Sequence, residues 1–171
     1  MTGDDKTILV VEDQESNRIL IEAAFRDNGV RSPIHFLHNG TEAIAYLTGE
    51  GKFSDRHEYD VPSFIITDLE MPGGDGFEVL EHRKSHPDCQ AIPTVVLSSS
   101  DDRNDVNRAY LLGATGYLVK ASGYEALRRE LKVLYDYWMA CQAPEVHLSE
   151  CPCRPCPARS NRAARRRTRG I

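Results

Sequence analysis

The sequence has no apolar run long enough to cross a membrane, and it has few cysteines. No stretch approaches the roughly 18 consecutive apolar residues of a membrane-spanning helix, which excludes such a helix. The segment Met1–Asp5 is polar and acidic, so it does not have the basic start and apolar centre of a secretory signal. Cys89 and Cys141 are isolated from the other cysteines, which argues against a disulfide framework. These absences predict a cytoplasmic protein with reduced thiols.

Charge divides the chain into two parts. The 171 residues carry a net charge of −5, but residues 1–143 sum to −10 and residues 144–171 to +5. Such asymmetry indicates a boundary. The length has room for one domain, so we predict a single domain over 1–143 and a Cys/Pro- and Arg-rich, disordered tail over 144–171.

Five short apolar runs alternate with helical patterns in the predicted domain. The expected strands are 7–11, 34–37, 63–67, 94–97 and 116–119. The expected helices are 15–28, 41–47, 77–86, 105–112 and 123–141. Alternation of this kind predicts a parallel sheet covered on both faces. The fold class is therefore α/β: a flavodoxin-like, doubly wound five-stranded parallel sheet of order 2-1-3-4-5 with five helices.

Polar residues follow four of these strands directly. Their side chains should converge, because the carboxyl ends of parallel strands share one edge of the sheet, where open α/β sheets bind ligands. Three carboxylates beside a lysine suggest a divalent cation and a phosphoryl group. The residues are Glu12, Asp13, Asp68, Ser98 and Lys120.

The order of these motifs and their gaps carry a family resemblance. Asp68 precedes Ser98 by 30 residues, and Ser98 precedes Lys120 by 22. Over roughly residues 6–141 the chain resembles the receiver domain of two-component response regulators. The motifs are Val11-Glu12-Asp13, 68–76 (DLEMPGGDG), Leu97-Ser98, Gly113-Ala114 and 116–120 (GYLVK).

The resemblance implies a magnesium-dependent phosphoacceptor. Asp68 would accept the phosphoryl group. Asp13 and Asp68 would bind Mg²⁺ directly, and Glu12 would act directly or through water. The backbone carbonyl of Glu70, two residues after the acceptor, would be a further ligand. This set suits Mg²⁺, which takes oxygen ligands and usually keeps several waters.

The resemblance also implies roles for three residues around the phosphoryl group. Lys120 would contact one phosphoryl oxygen, and Ser98 would donate its hydroxyl to another. Tyr117 would swing inward when the hydroxyl residue moves; the alternative is a half-exposed aromatic on a strand. The surface that changes would lie on the fourth helix, fifth strand and fifth helix. Charges there could pair between subunits or simply be solvated: Arg103, Asp105, Arg108, Arg128 and Glu130.

Two positions depart from the family pattern. Ala121 stands where the family has a proline after a cis peptide bond. A cis bond before a non-proline residue costs about 2.5–4 kcal/mol, so we expect a trans bond here. Glu70 replaces a small or amide residue, and its side chain could change the lifetime of the aspartyl phosphate.

A long connection, residues 48–62, resembles one subgroup: stand-alone receivers that partner phytochrome-type histidine kinases in bacteria. The Ser98–Ser100 run and a long last helix with Tyr135 and Trp138 are also similar. The apolar length of that helix predicts a homodimer. A generic loop insertion remains the alternative for the connection.

The tail admits several interpretations. Its arginines could make non-specific phosphate contacts with nucleic acid, or dock the tail on an acidic domain surface. Cys151, Cys153 and Cys156, with His147, could bind a metal, but a second cysteine pair is missing and prolines stiffen the segment. A solvated, disordered tail is the simplest interpretation.

The leading hypothesis is a single-domain response regulator that a sensor histidine kinase phosphorylates, and that is not otherwise an enzyme. One alternative is a DNA-binding regulator acting through the arginine-rich tail. A second is a phosphatase with an aspartyl nucleophile, which the residue pattern and length disfavour. A flavin binder is disfavoured because Glu12 and Asp13 would repel a flavin phosphate and no Gly/Ser/Thr-rich loop follows the first strand.

Overall fold

The structure is a computed structural model that describes residues 6–142 of the chain. The predicted tail over 144–171 lies outside these residues. The strands are β1 Ile8–Val11, β2 Ile34–Leu37, β3 Phe64–Thr67, β4 Thr94–Ser98 and β5 Gly116–Val119. The α-helices are α1 Glu15–Asp27, α2 Gly40–Thr48, α3 Gly76–Ser85, α4 Pro87–Gln90, α5 Arg103–Leu111 and α6 Tyr124–Ala140.

All five strands are parallel and lie in the order β2-β1-β3-β4-β5, which confirms the predicted topology. β1 and β3 are fully buried, as expected for apolar strands with helices on both faces. Alternate residues of β1 enter different cores. Ile8 and Val10 pack toward α1 and α6, whereas Leu9 and Val11 pack toward α2 and α3.

The helix count was wrong by one within residues 6–142. The region between 85 and 93 contains the short helix α4, Pro87–Gln90, in addition to the five helices that the sequence predicts. Pro87 stands in its first turn, where a proline loses no helical hydrogen bond. Buried Arg83 holds this turn by donating to the carbonyls of Gln90 at 3.0 Å and Ile92 at 2.6 Å.

Side-chain caps explain where α2 and α5 begin. The side chain of Asn39 accepts a hydrogen bond from the Glu42 N–H at 2.8 Å, so α2 starts one residue before the predicted Thr41. Asp102 accepts from the Asn104 N–H at 2.7 Å and starts α5 at Arg103 rather than Asp105. Such caps satisfy N–H groups that have no partner inside the helix.

The long connection between α2 and β3 is ordered rather than structureless. Gly51–Ser54 forms a 3₁₀ helix. Phe53 and Tyr59 pack on Tyr46 with ring centroids 5.2 and 5.9 Å away, and Tyr59 lies 5.4 Å from the ring of His35 on β2. The connection therefore packs against the edge strand β2.

No helix in residues 6–142 combines the length and apolarity that crossing a membrane would need. Every peptide bond in the same range is trans, which confirms the expectation for the bond before Ala121.

Acidification should destabilise the protein through His82. Its ring stacks on His86 with centroids 3.9 Å apart, and its buried Nε2 has no hydrogen-bond partner within residues 6–142. Burial, together with the neighbouring His86, lowers the pKa of His82 from 6.5 to about 4. Stability from neutral His82 is therefore present above pH 6.5 and is lost as the pH falls toward 4.

We expect His82→Phe to lose less unfolding free energy than wild type between pH 7 and pH 4, measured by urea denaturation. His57→Phe, at an exposed position, should keep the wild-type pH profile. If wild type and His82→Phe lost the same unfolding free energy between pH 7 and pH 4, the role given to His82 would be contradicted.

Candidate functional site

Strand register brings the predicted polar residues to one edge of the sheet. Val11 pairs with Thr67, Thr67 with Val96, and Ser98 with Val119. The residues that follow β1, β3 and β5 are therefore neighbours across the sheet. They are Glu12 with Asp13, Asp68, and Lys120, as the sequence analysis expected.

Lys120 bridges two buried carboxylates. Its Nζ lies 2.7 Å from Glu12 Oε2 and 2.5 Å from Asp68 Oδ2. Glu12 is 1% exposed and Asp68 is 5% exposed. Burial alone would lower the pKa of Lys120, but its hydrogen bonds to Asp68 and Glu12 raise that pKa above the ordinary value. The lysine therefore stays protonated across the physiological range.

Both carboxylate oxygens of Glu12 have protein partners. Oε2 accepts from Lys120, while Oε1 accepts from Asn17 Nδ2 at 3.1 Å and from the Gln14 N–H at 3.2 Å. A carboxylate held in this way has little freedom to turn toward an ion. Of the two roles left open for Glu12, this geometry favours action through water.

Asp13, unlike Glu12, has a carboxylate oxygen without a protein partner among the described residues. Its Oδ1 is buried and accepts no hydrogen bond from any described residue. Ligand oxygens of Glu12, Asp13 and Asp68 lie within 4.8 Å of one another. A buried carboxylate oxygen without a donor is costly unless a cation compensates it. The donor set consists only of oxygens and fits a hard divalent cation such as Mg²⁺.

Asp68 is oriented by its own backbone turn. Its Oδ1 accepts from the Leu69 N–H at 2.6 Å and the Glu70 N–H at 3.4 Å, which leaves Oδ2 facing Lys120. The side chain of Glu70 is exposed. The Glu70 backbone therefore lies beside the acceptor, where the predicted carbonyl ligand was placed.

Arg18 supports the acidic pair from α1, and the sequence analysis missed it. Its guanidinium donates to the carbonyl of Glu12 at 2.8 Å and to that of Asp13 at 2.6 Å. These bonds fix the turn that presents both carboxylates. The position of Arg18 in the sequence could have indicated this role. When a helix begins directly after a strand, its first turns pack back on the end of that strand.

Ser98 and Tyr117 meet through a third residue, Ser100. Ser98 is fully buried, and its Oγ accepts from the Ser100 N–H at 3.3 Å. Tyr117 is half-buried and donates its hydroxyl to the Ser100 carbonyl at 2.9 Å. The Ser100 hydroxyl in turn contacts Asp105 of α5 at 2.6 Å. A shift of Ser98 would therefore reach both Tyr117 and the start of α5.

Several of the surface charges that could pair between subunits, or simply be solvated, have partners within the chain. Arg108 lies 3.2 Å from Glu81 and stacks over the ring of Phe77. Arg128 pairs with Glu125 at 2.9 Å, and Asp105 binds Ser100 as above. These contacts make the charges poor candidates for an intersubunit network.

An apolar groove lies between β5 and α6. Its cavity of about 360 Å³ is lined by Val95, Gly116, Leu118, Val133, Tyr137 and Trp138, among others. Val133 is 70% exposed and Tyr137 is 60% exposed. Apolar side chains exposed together typically mark an interaction surface.

Comparison with protein families gives a match to the response regulator receiver domain over residues 8–132. The chain is 34% identical over 132 residues to the probable methanogenesis regulatory protein FilR2 of Methanothrix harundinacea, covering 77% of this chain and 83% of FilR2. It is 31% identical over 134 residues to the response regulator Rcp1 of Synechocystis, covering 78% of this chain and 89% of Rcp1.

Solved structures give the same picture. The phosphorylated cyanobacterial phytochrome response regulator RcpA matches with a TM-score of 0.76 and 32% identity, covering 82% of this chain and 99% of RcpA. The Mn²⁺-bound form of Rcp1 matches with a TM-score of 0.74 and 30% identity over 82% of this chain and 99% of that chain.

Proposed function

The chain belongs to the response regulator receiver family, and from this we propose that it is a single-domain response regulator that accepts a phosphoryl group on Asp68 from a sensor histidine kinase. One observation carries the proposal. Lys120 bridges Asp68 and Glu12 while Asp13 Oδ1, in the same cluster, has no partner among the described residues. The site thus offers an acceptor, a fixed positive charge and an acidic oxygen that no described residue contacts.

Each residue of the site has its own proposed role in phosphoryl transfer. Asp68 Oδ2 attacks phosphorus, a new P–O bond forms, and the P–N bond to the donor histidine breaks. Mg²⁺, when bound, gathers negative charge from the phosphoryl oxygens. Asp13 and Asp68 would hold it directly, with the Glu70 carbonyl and a water on Glu12. Lys120 then exchanges its contact with Asp68 for a phosphoryl oxygen, and Ser98 donates its hydroxyl to another.

Intact mass measures this function directly. With acetyl phosphate and Mg²⁺, wild type should gain one phosphoryl group, and Asp68→Asn should gain none. Glu22→Gln removes an exposed carboxylate from α1 and serves as the control, which should still be modified. Unmodified wild type, with both acetyl phosphate and a phosphorylated kinase as donors, would contradict the proposal.

We further propose that the kinase partner is of the phytochrome type and acts in the cytoplasm. Support comes from the relatives RcpA, a phytochrome response regulator, and RPA3017, described in red light signaling. The test compares kcat/KM for phosphotransfer from a purified phytochrome kinase and from a kinase without a phytochrome sensor. A preference for the second donor would contradict the pairing.

The proposed output is a change at the face formed by α5, β5 and α6. A phosphate brings about −1.5 to −2 charges and three strong acceptors to the site. Ser98 would move toward it and pull on Ser100, which both Tyr117 and Asp105 contact. The exposed Val133 and Tyr137 on the same face support a second copy of the chain as the partner.

Val133→Glu should strongly weaken the proposed homodimer. A charge buried without a partner in an apolar interface should weaken the dimer on the order of 100-fold, or about 2.7 kcal/mol. Light scattering after size exclusion, with beryllofluoride as the phosphoryl mimic, measures the effect. Ile19→Glu on α1, at a position 58% exposed, is the matched control and should dimerise like wild type. Dimerisation of Val133→Glu at wild-type concentrations would contradict this interface.

A further inference from the structure

The loop that follows Asp68 is fastened to the start of α2. Thr41 donates its hydroxyl to the carbonyl of Gly73 at 2.8 Å. The Gly40 N–H donates to the carbonyl of Gly74 at 2.8 Å. Both acceptors therefore lie at the amino end of α2, where free N–H groups and the helix dipole favour carbonyl oxygens.

This contact requires glycine in the loop. Gly73 and Gly74 have φ angles of 80° and 118°, which side-chain-bearing residues rarely adopt. A Cβ on Gly74 would also lie 2.8 Å from the Thr41 nitrogen, and one on Gly40 would lie 2.6 Å from the Asp75 carbonyl oxygen. Loop and helix are thus in direct backbone contact.

The C-terminal end of the loop, at Gly76, contacts the backbone of Asp68 and Leu69. The Gly76 N–H donates to the Leu69 carbonyl at 3.1 Å. A Cβ on Gly76 would lie 2.0 Å from the Asp68 carbonyl oxygen, so the two backbones touch. A movement of residues 73–76 would therefore displace the backbone of Asp68 and Leu69.

We infer that Thr41 is a positioning residue for the acidic site, an inference that rests on the proposed function. Its hydroxyl touches no reacting atom. It holds the loop through Gly73 and thereby fixes the Asp68–Glu70 turn that would present the acceptor and the carbonyl ligand. Thr41 is exposed on α2, so the core does not depend on its side chain.

Three variants of the full chain test the inference. Thr41→Val removes the hydroxyl and keeps the shape, whereas Thr41→Ser keeps the hydroxyl. Thr48→Val is the matched control on the same helix, because the Thr48 hydroxyl only bonds the Ile44 carbonyl at 3.0 Å and the Ala45 carbonyl at 3.3 Å. Mn²⁺ affinity is measured by electron paramagnetic resonance, and backbone protection by hydrogen exchange without metal.

Loss of one hydrogen bond that positions the site should weaken Mn²⁺ binding about fivefold in Thr41→Val. Amides of residues 69–76 should exchange faster in this variant. Thr41→Ser should restore both properties, and Thr48→Val should match wild type in both.

Two results would overturn the inference. If Thr41→Val kept the wild-type Mn²⁺ affinity and the wild-type hydrogen-exchange protection of residues 69–76, the Thr41–Gly73 hydrogen bond would not position the site. A lower melting temperature of the variant would not change that conclusion. Wild type that binds no Mn²⁺ would refute the proposed function, and the inference would fail with it. Comparison of wild type with Thr41→Val thus separates the two failures.

Discussion

Asp13→Asn should make the protein more stable in the absence of metal and should weaken its binding of a divalent cation. Three carboxylates have ligand oxygens within 4.8 Å of one another, and among the described residues Lys120 pairs with Glu12 and Asp68 but not with Asp13. At an effective dielectric constant of about 20, two like charges at that separation repel by roughly 3 kcal/mol. Removing the acid that has no partner relieves part of this repulsion.

We expect a gain of about 1 kcal/mol in the free energy of unfolding in EDTA, since relaxation and solvent reduce the Coulomb figure. Loss of the proposed carboxylate ligand should weaken Mn²⁺ binding on the order of 100-fold. Thermal denaturation and electron paramagnetic resonance measure the two effects. Glu22→Gln, which removes one exposed negative charge from α1, should change neither. A destabilised Asp13→Asn, or one with wild-type Mn²⁺ affinity, would contradict this account of the cluster.

Lys120→Met should have the largest effect on stability. The substitution leaves the buried carboxylates of Glu12 and Asp68 without their cation. Removing one partner of a buried ion pair costs about 3–5 kcal/mol. We expect a loss of about 3 kcal/mol at pH 7, measured by urea denaturation. Phosphorylation by acetyl phosphate should fall as well.

The matched control is Lys132→Met. Lys132 pairs with Asp136 at 2.6 Å on the surface of α6, and such pairs contribute at most about 1 kcal/mol. In wild type, the raised pKa of Lys120 means that its contribution is full below pH 10.5 and is lost as the pH rises through the folded-state pKa. If Lys120→Met and Lys132→Met lost the same free energy of unfolding, the buried contacts of Lys120 with Glu12 and Asp68 would not have the stabilising role described here.

The sheet was predictable because its strands are continuous apolar runs. β2 and β5 occupy the predicted residues, and the parallel order followed from right-handed crossovers. The short helix α4 was not predictable from pattern. A helix of four residues that begins with a proline is too short to show helical periodicity. It is stabilised by Arg83 of the preceding helix, which donates to the carbonyls of Gln90 and Ile92.

The acidic residues and the lysine were predictable for a similar reason: strand ends define positions in space. The contacts that support them were harder to predict. Arg18 and Asn17 lie close to the acidic pair in sequence, but the atoms they bond depend on how α1 packs back on the end of β1. Thr41 acts through the Gly73 carbonyl, 32 residues away, which only the folded chain brings near. The unpartnered oxygen of Asp13, which separates its role from that of Glu12, depends on which donors reach each carboxylate.

Locating the phosphoryl group on the chain decides whether Asp68 is the phosphoacceptor. The protein is treated with acetyl phosphate and Mg²⁺, reduced with borohydride, digested and mapped by tandem mass spectrometry. Reduction converts an aspartyl phosphate to homoserine, so the account predicts homoserine at position 68 alone. Homoserine at Asp13 instead, or modification only outside residues 6–142, would contradict it.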